Sequence, residues 1–253
     1  MPTILITGGA SGIGRATVEK FVQEHWNVAF MDVDDAAATA LLRQVDKTDS
    51  LLFVHGDTRR RQDIRAAVAQ AEARFGALHS VFANAGIHRS NTLLSITDEE
   101  LDLMVQTNIY GTVRTLQETV PALARSGGGS IVINCSDQWF IGKPNNFAYG
   151  LTKGALGQIT RSLSIDLAAQ GIRVNAVCPA SIHTPLLDDA LQRASQRQHI
   201  PLERLYAEED GDYARGTMGT PQEVAALVFF LASPQSSFCT GAHYLVDGGL
   251  VAH

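Results

Sequence analysis

The sequence predicts one α/β domain built on a parallel sheet covered on both faces. Three observations carry this: short apolar runs alternate with amphipathic segments, most runs are apolar throughout rather than at every second position, and a glycine-rich turn joins the first run to the first amphipathic segment. Such alternation is the mark of successive βαβ units. Continuous apolar runs belong to strands buried on both sides.

Taken in order, the runs at 4–6, 28–30, 51–54 and 81–82 are the first four strands, and 12–24, 35–45 and 61–75 are the helices between them. Thr97-Asp98-Glu99-Glu100 opens the next helix, with Thr97 as N-cap and Glu100 three residues on. That helix is expected to run to about Arg125, before the break at Gly127-Gly128-Gly129. A strand at 131–133, a helix at 148–169 stopped by Gly171, and a strand at 174–177 ending in Cys178-Pro179 follow. From about 184 to 218 the periodicity fails and charged residues mix with Pro and Gly, which reads as a surface excursion carrying a helix or two. Long excursions of this kind often serve as lids. Pro221 opens a helix at 222–231, and the last strand lies near 243–246. Without repeats or linkers, residues 1–253 read as a single domain.

A chain of 253 residues, 45% hydrophobic and 18% charged, has the make-up of a globular protein with a sizeable core. Its net charge of −6 argues against nucleic acid or an anionic membrane surface as partner. The basic run Arg59-Arg60-Arg61, with Arg65, reads as the solvated start of a helix. Cys135, Cys178 and Cys239 form neither a disulfide framework nor a metal-ligand pattern, and no His or carboxylate spacing suggests a metal. Met1-Pro2 leads directly into a strand-like run, and no apolar stretch approaches the roughly 20 residues of a membrane helix. The expectation is a cytoplasmic protein.

The turn Thr7-Gly8-Gly9-Ala10-Ser11-Gly12-Ile13-Gly14 follows a strand and opens a helix. Glycines let backbone N–H groups approach a pyrophosphate, and the helix N-terminus adds a positive dipole. Gly8, Gly12 and Gly14 give G-x-x-x-G-x-G rather than G-x-G-x-x-G, so strand–turn–helix context has to support the dinucleotide reading. Asp32 ends the second strand, where an acid can accept hydrogen bonds from adenosine ribose hydroxyls and repel a 2′-phosphate. Ser11, not a cation, precedes Gly12, so the expected cofactor is NAD rather than NADP.

Tyr149 and Lys153 stand four apart on a predicted helix, and Ser136 lies thirteen residues before Tyr149. This spacing sets an ammonium beside a phenol, and a strand end can bring the serine to the phenol's other side. A phenol titrates near pH 10, so acting as a base at neutral pH requires help worth about 4 kcal/mol. A unit charge about 4 Å away supplies roughly that at an effective dielectric near 20.

Together these residues resemble the short-chain dehydrogenase/reductase family over essentially the whole chain. The glycine turn matches T-G-x-x-x-G-x-G; Ala83-Asn84-Ala85-Gly86 matches N-N-A-G except at Ala83; Pro179 to Thr184 matches P-G-x-x-x-T except at Ala180; and Asp247-Gly248-Gly249 matches the closing motif. Asn108, Ser136, Tyr149 and Lys153 match the catalytic tetrad. The resemblance implies a Rossmann-like three-layer α/β/α domain with a seven-stranded parallel sheet. It also implies reversible hydride transfer between a nicotinamide cofactor and an alcohol or carbonyl. Tyr149 would be the acid/base, and Lys153 would hold the nicotinamide ribose and lower the phenol's pKa. Ser136 would bond the substrate oxygen, and Asn108 would hold a water linking Lys153 to solvent. Gly8, Ser11, Gly12, Ile13 and Gly14 would hold the pyrophosphate, and Asp57 and Thr58 would lie near the adenine. Asn84 would run along the cofactor, with Pro179, Ile182 and Thr184 toward the carboxamide.

The substrate expected is a small to medium secondary alcohol or ketone, cyclic or sugar-derived compounds among them. Trp139 and Phe140 could wall the pocket or pack against the domain or a neighbouring subunit, and His88 and His183 could touch substrate or be structural. Two other readings stay open: an NADP-dependent carbonyl reductase, and a non-catalytic dinucleotide-binding regulatory protein. The family is commonly tetrameric, packing across helices near 98–125 and 148–169, so a homotetramer is expected.

Overall fold

The computed structural model describes residues 1–45 and 48–252. Strands β1 (Thr3–Thr7), β2 (Asn27–Asp32), β3 (Leu51–His55), β4 (Ser80–Ala83), β5 (Gly129–Asn134), β6 (Ile172–Pro179) and β7 (His243–Val246) form one seven-stranded sheet. Its order is β3-β2-β1-β4-β5-β6-β7 and every pairing is parallel. The chain therefore leaves β1 in one direction to β2 and β3, then returns to its other side at β4. Such a reversal opens a crevice beyond the strands' carboxyl ends.

Helices α1 (Gly12–Gln23), α2 (Asp35–Gln44), α3 (Arg61–Phe75), α4 (Asp98–Met104), α5 (Gly111–Arg125), α6 (Phe147–Asp166), α7 (Pro185–Gln198), α8 (Leu202–Gly211) and α9 (Pro221–Ala232) connect or follow the strands. Successive strand residues point to opposite faces, so each apolar run feeds two cores. Leu5, Met31, Val81 and Ile133 meet Ala67, Leu116, Leu123 and Leu156 of α3, α5 and α6. Ile6, Phe30, Phe82 and Val132 meet Val18, Phe21, Val224 and Val228 of α1 and α9.

The helix expected from 98 to 125 is helical throughout but not α-helical throughout. Thr97 caps it by accepting from the Glu100 N–H at 3.2 Å. Between α4 and α5, however, Val105–Tyr110 forms a π-helical turn. Hydroxyls of Thr107, Thr112 and Thr115 bond back to the carbonyls of Leu103, Asn108 and Gly111 at 2.8–2.9 Å, competing for the carbonyls that carry the regular ladder. Single π-turns of this kind are frequent at functional sites, and this one carries Asn108.

The excursion at 184–218 resolves into α7 and α8. Thr184 is the N-cap of α7 and Pro185 its first residue. Gly171, in the left-handed region at φ +71, ends the turn after α6. A full capping box, Thr220 with Glu223, starts α9.

Candidate active site

The glycine turn owes its shape to close packing. Gly8 and Gly12 have φ of +66 and +51, and a Cβ on Gly14 would lie 1.9 Å from the Gly8 carbonyl oxygen. The Asn84 amide, arriving from β4, donates to the carbonyls of Thr7 and Gly8 at 3.0 and 2.9 Å. Its own oxygen accepts from Asn134 Nδ2 at 2.8 Å. Ser11 is the N-cap of α1, yet its side chain makes no capping bond. The first N–H groups of that helix thus face the crevice uncapped, as an anion site requires.

A cleft of about 490 Å³ runs from this turn across the sheet ends. Gly8, Ser11, Gly12, Ile13, Asp32, Asp57, Thr58, Asn84, Tyr149, Lys153 and Thr184 all line it. Gly14 sits behind the turn and shapes it from within. The Asp32 carboxylate is fixed by the backbone N–H groups of Ala10 and Asp34 at 2.9 and 3.1 Å. The basic run divides. Arg61 and Arg65 pair with Glu118 on α5, whereas Arg59 lines the cleft beside Asp32 and Asp57. Sequence reading missed this cation. The Asp57 carboxylate accepts from the Arg59 Nε at 2.8 Å and its backbone N–H at 2.9 Å. Burial alone would raise the Asp57 carboxyl, but the Arg59 hydrogen bonds outweigh it and hold the group below its usual range.

A second cleft, of about 220 Å³, adjoins the first at Tyr149, and Ser136, Pro179 and Ile182 line it. Ser136, buried at the end of β5, donates to Asp137 Oδ1 at 2.6 Å and accepts from the Gln138 N–H at 3.2 Å. Lys153, one turn along α6 from Tyr149, is buried and donates to the Asn134 carbonyl at 2.7 Å. Its Nζ lies 5.4 Å from the centre of the phenol ring. Asn108 lines neither cleft. Its side chain accepts from the Ile87 N–H at 2.8 Å and donates to the Ile87 carbonyl and Thr152 Oγ1 at 3.0 and 3.1 Å. The amide ties the π-turn to the loop after β4.

Burial first, then the negative charge of Asp137, pushes Tyr149 well above the ordinary tyrosine range, and the hydrogen bond with Ser136 offsets only part of this. Burial also lowers Lys153. One charge missed by sequence reading adjoins this centre, Lys143, whose Nζ lies 2.9 Å from Asp137 Oδ2; Glu209, an acid of the 184–218 excursion, lines the second cleft.

Trp139 belongs to neither cleft. Its indole covers Gly157, where a Cβ would come within 2.4 Å, and stacks on His243 at 5.2 Å under the Arg161 guanidinium. Phe140 is exposed at the same edge. His88 lines the second cleft, 5.0 Å edge-on from the Tyr149 ring, with Nε2 2.6 Å from Asn146 Oδ1. Burial holds its ring below the usual histidine range. His183 stacks on Tyr206 instead.

Fold and clefts together define a dinucleotide-binding α/β protein with a serine, a tyrosine and a lysine where its two cavities meet. Residues 8–251 match a family profile described as Enoyl-(Acyl carrier protein) reductase. L-fucose dehydrogenase of Mus musculus is 35% identical over 97% of this chain and 87% of that protein. The aldohexose dehydrogenase of Thermoplasma acidophilum superposes with a TM-score of 0.90 at 30% identity, covering 100% of this chain and 94% of that one. ElxO, solved with NADP bound, gives 0.89 at 25% identity over 100% and 99%. The chain belongs to the short-chain dehydrogenase/reductase family and is an oxidoreductase that uses a nicotinamide dinucleotide. Among the described residues no helix is long and apolar enough to cross a membrane.

Proposed function

We propose that this protein transfers hydride between NAD(H) and a small to medium secondary alcohol or ketone, with Tyr149 as acid/base. The observation that carries the reading is the meeting of the two clefts at Tyr149, with Ser136 on one side and Lys153 on the other. The glycine turn, Asp32 and Lys153 would hold the dinucleotide, whose nicotinamide supplies or takes up the hydride when bound. Ser136 Oγ bonds the substrate oxygen. Tyr149 takes the hydroxyl proton in oxidation and returns it in reduction, while Lys153 keeps a positive charge beside the ring and Asn108 holds the loop that shapes the first cleft. Relatives named for L-fucose and aldohexose oxidation favour cyclic, sugar-derived alcohols. The reading extends to a homotetramer packed around Tyr110, Leu151 and Ile165, large apolar residues left exposed. NADH formation across a panel of secondary alcohols tests the function; no turnover with any alcohol or ketone would defeat it.

The choice of NAD rests on Asp32. A phosphate about 6 Å from a carboxylate costs about 3 kcal/mol at an effective dielectric near 20, or about a hundredfold in affinity. Asp32→Ala is therefore expected to raise the ratio of NADP to NAD turnover by about that factor, the more so because Arg59 lines the same end of the cleft. Equal use of both cofactors by the unaltered protein would refute the role given to Asp32.

The raised phenol gives the reaction a sign in pH. Alcohol oxidation needs the deprotonated tyrosine, so its rate climbs as pH rises through the phenol's titration. Asp137 lifts that titration. Asp137→Asn is expected to move the rising limb of kcat/KM to lower pH by about one unit. A limb that stays in place would separate Asp137 from the proton step.

A further inference from the structure

The second cleft is small and two-sided. At about 220 Å³ it falls below the roughly 300–1,000 Å³ of pockets for drug-sized ligands. Leu186, Leu187 and Leu191 of α7 form one wall, while Asp137, Lys143 and Glu209 contribute charge to the other side. Lys143 is the unusual member. Its side chain is only 25% exposed, and it pairs with an Asp137 side chain that is 2% exposed. An ammonium has three donors, and the ion pair accounts for one direction. Burial would lower its proton affinity, but the Asp137 charge and hydrogen bond outweigh this and raise it, with Tyr213 and Glu209 acting in the same sense.

Glu209 is anchored by the Ser181 hydroxyl at 2.7 Å, and Tyr213 Oη accepts from the Ser181 N–H at 2.9 Å. One cation thus pairs directly with Asp137, and Glu209 lines the same small cleft. An apolar substrate would leave the remaining ammonium donors desolvated and unpaired, a cost characteristic of sites built for hydroxyl groups. A substrate carboxylate would add a third negative charge. A neutral hydroxyl supplies the acceptor without the repulsion.

We propose that Lys143, clamped by Asp137 and sharing the cleft with Glu209, is a specificity-determining residue that selects a neutral polyhydroxylated alcohol, binding the hydroxyl next to the reacting carbon. The apolar wall of α7 then covers the ring face of that substrate. This assignment rests on the hydride-transfer reading above and names its substrate class.

Three matched probes test it: cyclohexanol, cis-cyclohexane-1,2-diol and cis-2-hydroxycyclohexanecarboxylate, each oxidised with NAD. The expected order of kcat/KM is diol first, by about tenfold or more over cyclohexanol, with the carboxylate last. Lys143→Gln is expected to bring the diol to within about threefold of cyclohexanol, and Lys143→Arg, which keeps the cation, to retain most of the preference. Equal or reversed use of diol and cyclohexanol by the unaltered protein overturns the proposal. So does a carboxylate that outruns the diol, or a diol preference that survives Lys143→Gln. Calorimetric binding of the diol and cyclohexanol to the cofactor-free protein gives an independent reading. Should no probe yield NADH, the binding arm decides: tighter diol binding lost in Lys143→Gln still supports the subsite and equal binding removes it, while the hydride-transfer reading is judged separately on the wider alcohol panel. Circular dichroism and melting curves of both variants identify loss of fold, in which case Glu209→Gln replaces them, its expected effect being improved binding of the carboxylate; unchanged discrimination against the carboxylate would overturn the proposal.

Discussion

Tyr149→Phe is expected to lower kcat for alcohol oxidation by about 10²- to 10⁴-fold, the range over which a positioned proton-transfer group contributes. The ring would stay, so its edge-on contact with His88 and the nearby Lys153 ammonium are preserved. Only the oxygen to which the proton transfer is assigned is removed. Cofactor affinity should change little, because the glycine turn, Asp32 and Lys153 are untouched. The discriminating measurement is paired: kcat with a secondary alcohol, and NADH binding by fluorescence. A variant that kept most of its turnover would refute the proton role, and one that lost both readouts would point to damage of the cleft instead.

Gly14→Ala should be the most damaging single methyl in the molecule's first half. An added Cβ would sit 1.9 Å from the Gly8 carbonyl oxygen and 2.7 Å from Asn84 Nδ2. Neither is the end of a flexible chain: one is backbone, and the other is pinned by hydrogen bonds to Thr7 and Gly8. Overpacking of this kind costs about 1–3 kcal/mol, sometimes more, and for a domain of this size each kcal/mol lowers Tm by about 2–4 °C. The expectation is a Tm loss of up to about 12 °C with NADH binding abolished. Gly154→Ala on α6 is the control, since a Cβ there meets nothing within 4 Å. It should be neutral or stabilising, as alanine is the better helix former by about 1 kcal/mol. If the two variants melted alike, the steric account of the turn would be wrong.

Local pattern carried most of the architecture. The strands at 28–30, 131–133 and 174–177 were visible because a strand buried on both faces has no polar side to interrupt the run, and their observed bounds are Asn27–Asp32, Gly129–Asn134 and Ile172–Pro179. The glycine turn was visible because sterics there leave little alternative. The π-turn at Val105–Tyr110 was not, since one altered hydrogen-bond ring scarcely disturbs helical spacing. Lys143 and Arg59 escaped for a different reason. Lys143 acquires its meaning from Asp137, brought close by the loop path, and Arg59 from the pairing of β2 with β3, which sets it in the cleft with Asp32; a charge considered alone looks like solvated surface. Adjacency of Tyr149 to Lys153 can be read from spacing, whereas the enclosure of the phenol and the nearby carboxylate of Asp137, which both raise it, cannot.

The two amides on adjacent strand ends have a consequence of their own. Gly8 is bonded to Asn84, Asn84 to Asn134, and the Asn134 carbonyl to the ammonium of Lys153, an unbroken series of short bonds. The series works as a ruler. With the cofactor held as proposed, it would set the distance from the anchoring end to the reactive end in units of strand spacing. On the proposed reading, drift in this series would misplace the reactive end relative to Tyr149, whatever the loops above it contact.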